Sequence, residues 1–85
     1  MNKRWDDDAW EDYVAWQFEN KKTLKRINTL IKDIERNGAM TGIGKPERLK
    51  YEGGYSRRID DTNRLIYDID DQGYLYIKSC KGHYK

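Results

Sequence analysis

The sequence predicts an α+β domain, with a short N-terminal strand and a two-helix hairpin packed on one face of a mainly antiparallel sheet of about five strands. Three observations carry this. Two apolar stripes at helical spacing occupy the first half of the chain. A glycine-rich break, "GAMTGIGKP", follows them. Four segments rich in aromatic and β-branched residues, parted by turn-forming residues, fill the second half. At 85 residues the chain has the size of one domain, spanning 1–85.

"NKRW" reads as the first strand. Asp6 or Asp8 can cap the helix that follows, and Asp8 with Glu11 has capping-box spacing. Trp10, Tyr13, Val14 and Gln17 form an i, i+3, i+4, i+7 stripe, which predicts a helix through Phe18 with Trp16 and Phe18 flanking the stripe. Asn20 can start the second helix. Its stripe is Leu24, Ile27, Ile31 and Ile34, with Leu30 alongside, and Asn37–Gly38 stops it, giving a hairpin over 6–37. Strands are expected at "RLKY", "YSRRID", "RLIYDID" and "YLYIKSC", with turns at "DDTN" and "DQG". Alternation along "RLIYDID" places Leu65, Tyr67 and Ile69 on the core face and Arg64, Ile66 and Asp68 on the open face. The last strand turns Leu75 and Ile77 inward and ends near Cys80, leaving "KGHYK" beyond the sheet.

Charged residues make up 38% of the chain and hydrophobic ones 36%, a balance that by itself favours disorder. Eleven aromatics (seven Tyr, three Trp, one Phe) oppose that reading, because each can bury a large area. The net charge of +2 is too small to specify a nucleic-acid partner, but it is unevenly spread. Residues 1–19 carry six acids against Lys3 and Arg4, whereas 20–36 carry six bases against Asp33 and Glu35, and 45–58 five bases against Glu47 and Glu52. The basic stretches either form a positive face or lie against the acidic one and neutralise it. One cysteine cannot form an internal disulfide, and the N-terminus has no apolar run, so a cytoplasmic protein without a membrane segment is expected.

The glycine loop lacks P-loop spacing. One histidine and one cysteine cannot make a zinc site, and no nucleophile elbow is present, so neither metal nor cofactor is expected. Cys80 reads as a small packed side chain. Glu47, Lys50, Arg57, Arg58, Arg64, His83 and Tyr84 remain. Arg57 and Arg58 are strand neighbours, so only one can serve the open face. Taken singly, each of these residues is ordinary: a solvated acid, exposed cations, a chain end. Residue chemistry alone leaves an active site and a solvated surface both open.

"GIGKPERLK", "YSRRID", "NRLIYDI" and "CKGHY", together with "WDDDAWEDYVAWQ" and "LKRINTLIKDIERNG", resemble the YoeB/Txe toxins of bacterial toxin–antitoxin pairs, in the RelE superfamily. The resemblance runs through nearly the whole chain. It implies a RelE/microbial-RNase-like fold and a ribosome-dependent messenger-RNA endonuclease, held inactive by a cognate antitoxin and compatible with a homodimer. It carries catalytic roles to Glu47, Arg64 and His83, and substrate contacts to Lys50, Arg58 and Tyr84. The residue types suit such chemistry. RNA supplies its own 2′-hydroxyl nucleophile. Glutamate titrates near about 4.3 and histidine near about 6.5, which makes Glu47 the base and His83 the acid. Arg64 and Arg58 offer planar forks to phosphate, and Tyr84 a stacking face. The chain departs from the family pattern twice. Lys85 follows the tyrosine at which family members commonly end, and Asn63 stands where histidine is common. The competing readings are a non-catalytic nucleic-acid-binding module and a protein-interaction domain.

Overall fold

The computed structural model of the protein describes residues 1–82. In chain order the elements are β1 (Lys3–Trp5), α1 (Asp7–Glu19), α2 (Lys21–Asn37), β2 (Glu47–Arg48), β3 (Tyr55–Arg58), β4 (Arg64–Ile69) and β5 (Leu75–Ser79). The strands form one sheet in the order β1-β5-β4-β3-β2. The meander β2–β5 is antiparallel, and β1 joins β5 in parallel register. The helical hairpin and the whole meander separate β1 from β5, which provides the long crossover a parallel pair requires.

Asn20 alone joins the two helices. Its backbone N–H closes α1 on the Trp16 carbonyl (3.0 Å), and its side-chain oxygen accepts from the Lys22 and Thr23 amides (3.1 and 3.2 Å) to start α2. α2 buries Ile27, Leu30, Ile31 and Ile34 against Leu65 and Tyr67 of β4 and Leu75 and Ile77 of β5. Each such side chain contributes about 1.5–3 kcal/mol when withdrawn from water.

α1 departs from the predicted pattern twice. Asp6 is its N-cap residue but makes no side-chain cap, because its carboxylate accepts the Tyr76 hydroxyl; Asp8 lies inside the helix, so the Asp8/Glu11 capping box is not used. The buried stripe is Ala9 and Trp16, with Asp12 and Tyr13 half-buried, one residue out of phase with the predicted one. Trp10 is half-exposed in a surface cluster with Trp5 and Tyr13, and Phe18 is 87% exposed. Trp16 is drawn inward by a partner 64 residues away, since its indole N–H donates to the Cys80 carbonyl (3.1 Å).

The end of β5 also breaks simple alternation. Tyr67 pairs with Ile77, yet Ile66 pairs with Ser79, a β-bulge that rephases the strand. Cys80 therefore enters the same core as Ile77, although three positions separate them. Burial pushes its thiol up to about 12, so it stays protonated and packed.

"RLKY" contributes only Arg48 to a strand. Glu47 and Arg48 pair with Ser56 and Tyr55, and 49–54 is a loop closed by the Leu49 N–H on the Gly54 carbonyl (2.9 Å). Gly54 is compelled by crowding as well as by its φ of +85°, because a Cβ there would lie 2.8 Å from the Tyr67 carbonyl oxygen.

Arg57 is fully buried, and its five N–H donors are all used. Nε donates to the Tyr67 hydroxyl (2.9 Å), Nη1 to Asp33 (2.5 Å) and the Ile43 carbonyl (2.9 Å), and Nη2 to the Gly38 and Thr41 carbonyls (both 2.8 Å). The Tyr67 hydroxyl in turn donates to the Ala39 carbonyl (2.6 Å). The 38–44 loop thus wraps a guanidinium. Gly42 is the point of closest approach, where a Cβ would meet Asp33 Oδ2 at 1.8 Å.

Replacing Arg57 with Met orphans three loop carbonyls, so a loss of at least about 3 kcal/mol is expected. At about 4–8 °C per kcal/mol this lowers Tm by about 12 °C or more, and Gly42→Ala lowers it in the same direction. Calorimetry showing either variant as stable as the parent would refute the hub. The hydrogen bond from Arg57 holds the Asp33 carboxyl below the usual carboxylate range. A depressed folded value adds stability above the unfolded value of about 3.9, and this is lost as pH falls through the folded one. Denaturant titrations should therefore show wild-type stability falling more steeply below about pH 4 than that of Asp33→Asn.

Candidate functional site

The face of the sheet opposite the helices carries the alternate residues of β2, β3 and β4. Register sets Glu47 beside Ser56 and Ser56 beside Ile66, and two residues along it pairs Arg58 with Arg64. Arg57, one position from Arg58, points into the core, so Arg58 is the arginine on the open face. Two arginines directly opposite on neighbouring strands concentrate positive charge on this face.

Glu47, Lys50, Arg58 and Arg64 line one groove of about 470 Å³, as do Lys45 and Tyr51, and buried Ser56 contributes to it. Five cationic residues border the groove (Lys45, Arg48, Lys50, Arg58, Arg64) against two acidic ones (Glu47, Glu52), so its field is positive. Lys45 enters with φ +51°, a left-handed conformation that costs a non-glycine residue about 1–2 kcal/mol, immediately before Pro46. The loop carbonyl of Gly44 accepts from the Arg58 amide (2.7 Å), which ties the approach to β2 against β3.

The far end of the groove is built by the turn before β4. The Asp60 carboxylate accepts from the amides of Thr62 (2.8 Å) and Asn63 (2.7 Å), and Arg64 Nη1 donates to the Asp60 carbonyl (2.7 Å). Asn63 is buried, and its side-chain oxygen accepts from the Gly82 amide (2.8 Å), while the Arg64 amide donates to the Gly82 carbonyl (3.0 Å). The Asn63 amide thus grips the chain just before His83. His83 and Tyr84 lie outside the described residues, as does Lys85.

Four of the six residues singled out from sequence therefore share one groove. Lys45, Tyr51 and Ser56 were missed. Tyr51 belongs to "RLKY", whose composition predicts a strand but which forms a loop after Arg48, and Ser56 sits in "YSRRID" beside two arginines. Among the described residues no cluster of His, Cys, Asp and Glu could hold a metal, and no helix is long and apolar enough to cross a membrane.

Residues 5–84 match the model of a family described as the YoeB-like toxin of bacterial type II toxin–antitoxin systems. The toxin YoeB of Escherichia coli strain K12 is 44% identical over 86 residues, covering 99% of this chain and all of the relative. Two structures from Staphylococcus aureus are 50% identical and cover 99% of this chain and 98% of theirs: a heterotetrameric YoeB–YefM toxin–antitoxin complex (TM-score 0.90) and a YoeB dimer (TM-score 0.91).

Removing one member of the arginine pair should separate stability from anion binding. Arg58→Thr relieves about 0.2–1 kcal/mol of like-charge repulsion and should raise Tm by up to a few degrees in low salt. Sulfate should raise the wild-type Tm by mass action and leave the variant nearly unmoved. An equal sulfate response in both would show that the pair is not an anion site.

Proposed function

The chain belongs to the YoeB-like toxins of bacterial type II toxin–antitoxin systems, and from that membership we propose that it is an endoribonuclease that cuts messenger RNA on the ribosome and so stops translation. The observation that carries this reading is the grouping of Glu47, Lys50, Arg58 and Arg64 in one positive groove on the open sheet face. Glu47 takes the proton of a 2′-hydroxyl. The 2′-oxygen then bonds to phosphorus, the bond from phosphorus to the 5′-oxygen breaks, and His83 delivers a proton to that leaving oxygen. Arg64 faces the charge growing on the phosphoryl oxygens, and Arg58 and Lys50 add further contacts. Tyr84 stacks on a base. The hydrogen bond between the backbones of Gly82 and Arg64, one residue before the histidine, supports the reading of His83 as the acid.

Glu47 is exposed in an open groove, so free RNA has little to hold its 2′-hydroxyl in line; the ribosome supplies that positioning. A cognate antitoxin, of the kind seated on the S. aureus toxin, would silence the chain by covering this face. A homodimer, as in the S. aureus YoeB dimer, and a cytoplasmic location beside the ribosome complete the reading. The groove needs no metal or cofactor for these steps. The fold and the site form one domain over 1–85.

Single-turnover cleavage on ribosomes should fall about 10²–10⁴-fold in Glu47→Gln and in His83→Gln, with the fold intact. Arg64→Ala should fall comparably, and Lys50→Ala and Arg58→Ala less, since each supplies one of several phosphate contacts. Deleting Lys85 alone should be nearly silent. A folded Glu47→Gln variant that cuts at the wild-type rate would remove Glu47 from the mechanism, and a folded wild-type chain that cuts no messenger on ribosomes would leave the chain a binding module instead.

A further inference from the structure

We propose that Tyr51 is a stacking platform for a base of the messenger, on the rim of the groove that holds the scissile phosphate; this rests on the ribonuclease reading above and adds a nucleobase subsite to it. Tyr51 occupies the loop between β2 and β3 and is 91% exposed, the most exposed of the large hydrophobic side chains among the described residues. Its ring has no hydrogen bond or ring contact there, whereas Tyr13, Tyr55, Tyr67 and Tyr76 all engage neighbours. A single exposed aromatic is ordinary. This one, however, lines a groove bordered by five cations. A cationic track beside an open aromatic face is how proteins hold single-stranded RNA, with phosphates taken by the cations and bases stacked on the ring.

The loop is held where it must be and free where it would bind. Its base is closed by the hydrogen bond between Leu49 and Gly54, and Gly54 sits tightly against the Tyr67 carbonyl. Lys50 and Tyr51 are consecutive, so one short segment offers both a charge for a phosphate and a face for a base. Stacking strength differs among bases, so this contact would shape which codons are cut.

The test is a coupling measurement that does not require cleavage. Glu47→Gln and Glu47→Gln/Tyr51→Ala are titrated onto ribosomes carrying either an intact messenger or one with an abasic nucleotide in the codon at the site of cleavage. On the intact messenger Tyr51→Ala should weaken binding about 5- to 150-fold, the range a lost base stack gives. Tyr51→Phe should restore it, and Tm should stay unchanged because the ring supports nothing. On the abasic messenger Tyr51→Ala should cost less than about twofold, since the stack is already gone. Equal losses on both messengers would mean that the ring touches the ribosome, and no loss on either would mean that it touches nothing; each overturns the proposal. If the wild-type chain cuts no messenger but the coupling persists, the ribonuclease reading fails and the base subsite stands.

Discussion

A buried guanidinium organises this small protein. Arg57 comes from the middle of β3, where alternation points it into the core, and a bare charge there would be expensive. The cost is offset because every donor finds an acceptor, and three of those acceptors are carbonyls of the 38–44 loop. The loop has no regular structure of its own. Its shape is the shape of its hydrogen bonds to Arg57, to Asp33 and, through the Ala39 carbonyl, to Tyr67. What leaves that loop is Lys45, Pro46 and Glu47, so the network that stabilises the core also decides where the groove begins.

Arg57 and Arg58 divide the labour by strand geometry. One side chain anchors the loop from below. The next faces the opposite side of the sheet, pairs in register with Arg64, and uses its own amide to hold the loop at Gly44. The other end of the groove is anchored by a different set of polar contacts. Trp16 holds the Cys80 carbonyl, and Asn63 and Arg64 hold both backbone groups of Gly82. Two distant stretches, the glycine loop and the end of β5, are thus tied to the same β3–β4 hairpin. The proposed base and the proposed acid depend on those two ties.

Much of this was legible in the sequence because it rests on local rules. Asn20 and Asn37–Gly38 bound α2, the "DDTN" and "DQG" turns part β3 from β4 and β4 from β5, and alternation on β4 separates Leu65 and Tyr67 from Arg64. The misreadings share a cause. The buried stripe of α1 lies one residue out of phase with its periodicity because Trp16 is held by a partner at the far end of the chain, which periodicity cannot reveal. Asp6 lost its capping role to Tyr76, again from another element. The bulge that turns Cys80 inward has no local marker, and "RLKY" has strand composition but lies where the chain must loop. Family resemblance reached the site because its motif spacing encodes contacts that no single segment displays. Glu47, Lys50, Arg58 and Arg64 are neighbours in one groove, and their roles belong to the proposed chemistry.

The most direct test of that chemistry is the end group left on the cut messenger. Ribosomes engaged on a defined message are mixed with the wild-type chain, and the 3′ terminus of the upstream fragment is identified by mass spectrometry, with naked RNA run in parallel. Attack by the 2′-hydroxyl predicts a 2′,3′-cyclic phosphate, formed only where ribosomes are present. A 3′-hydroxyl terminus, or equal cutting of naked RNA, would contradict it.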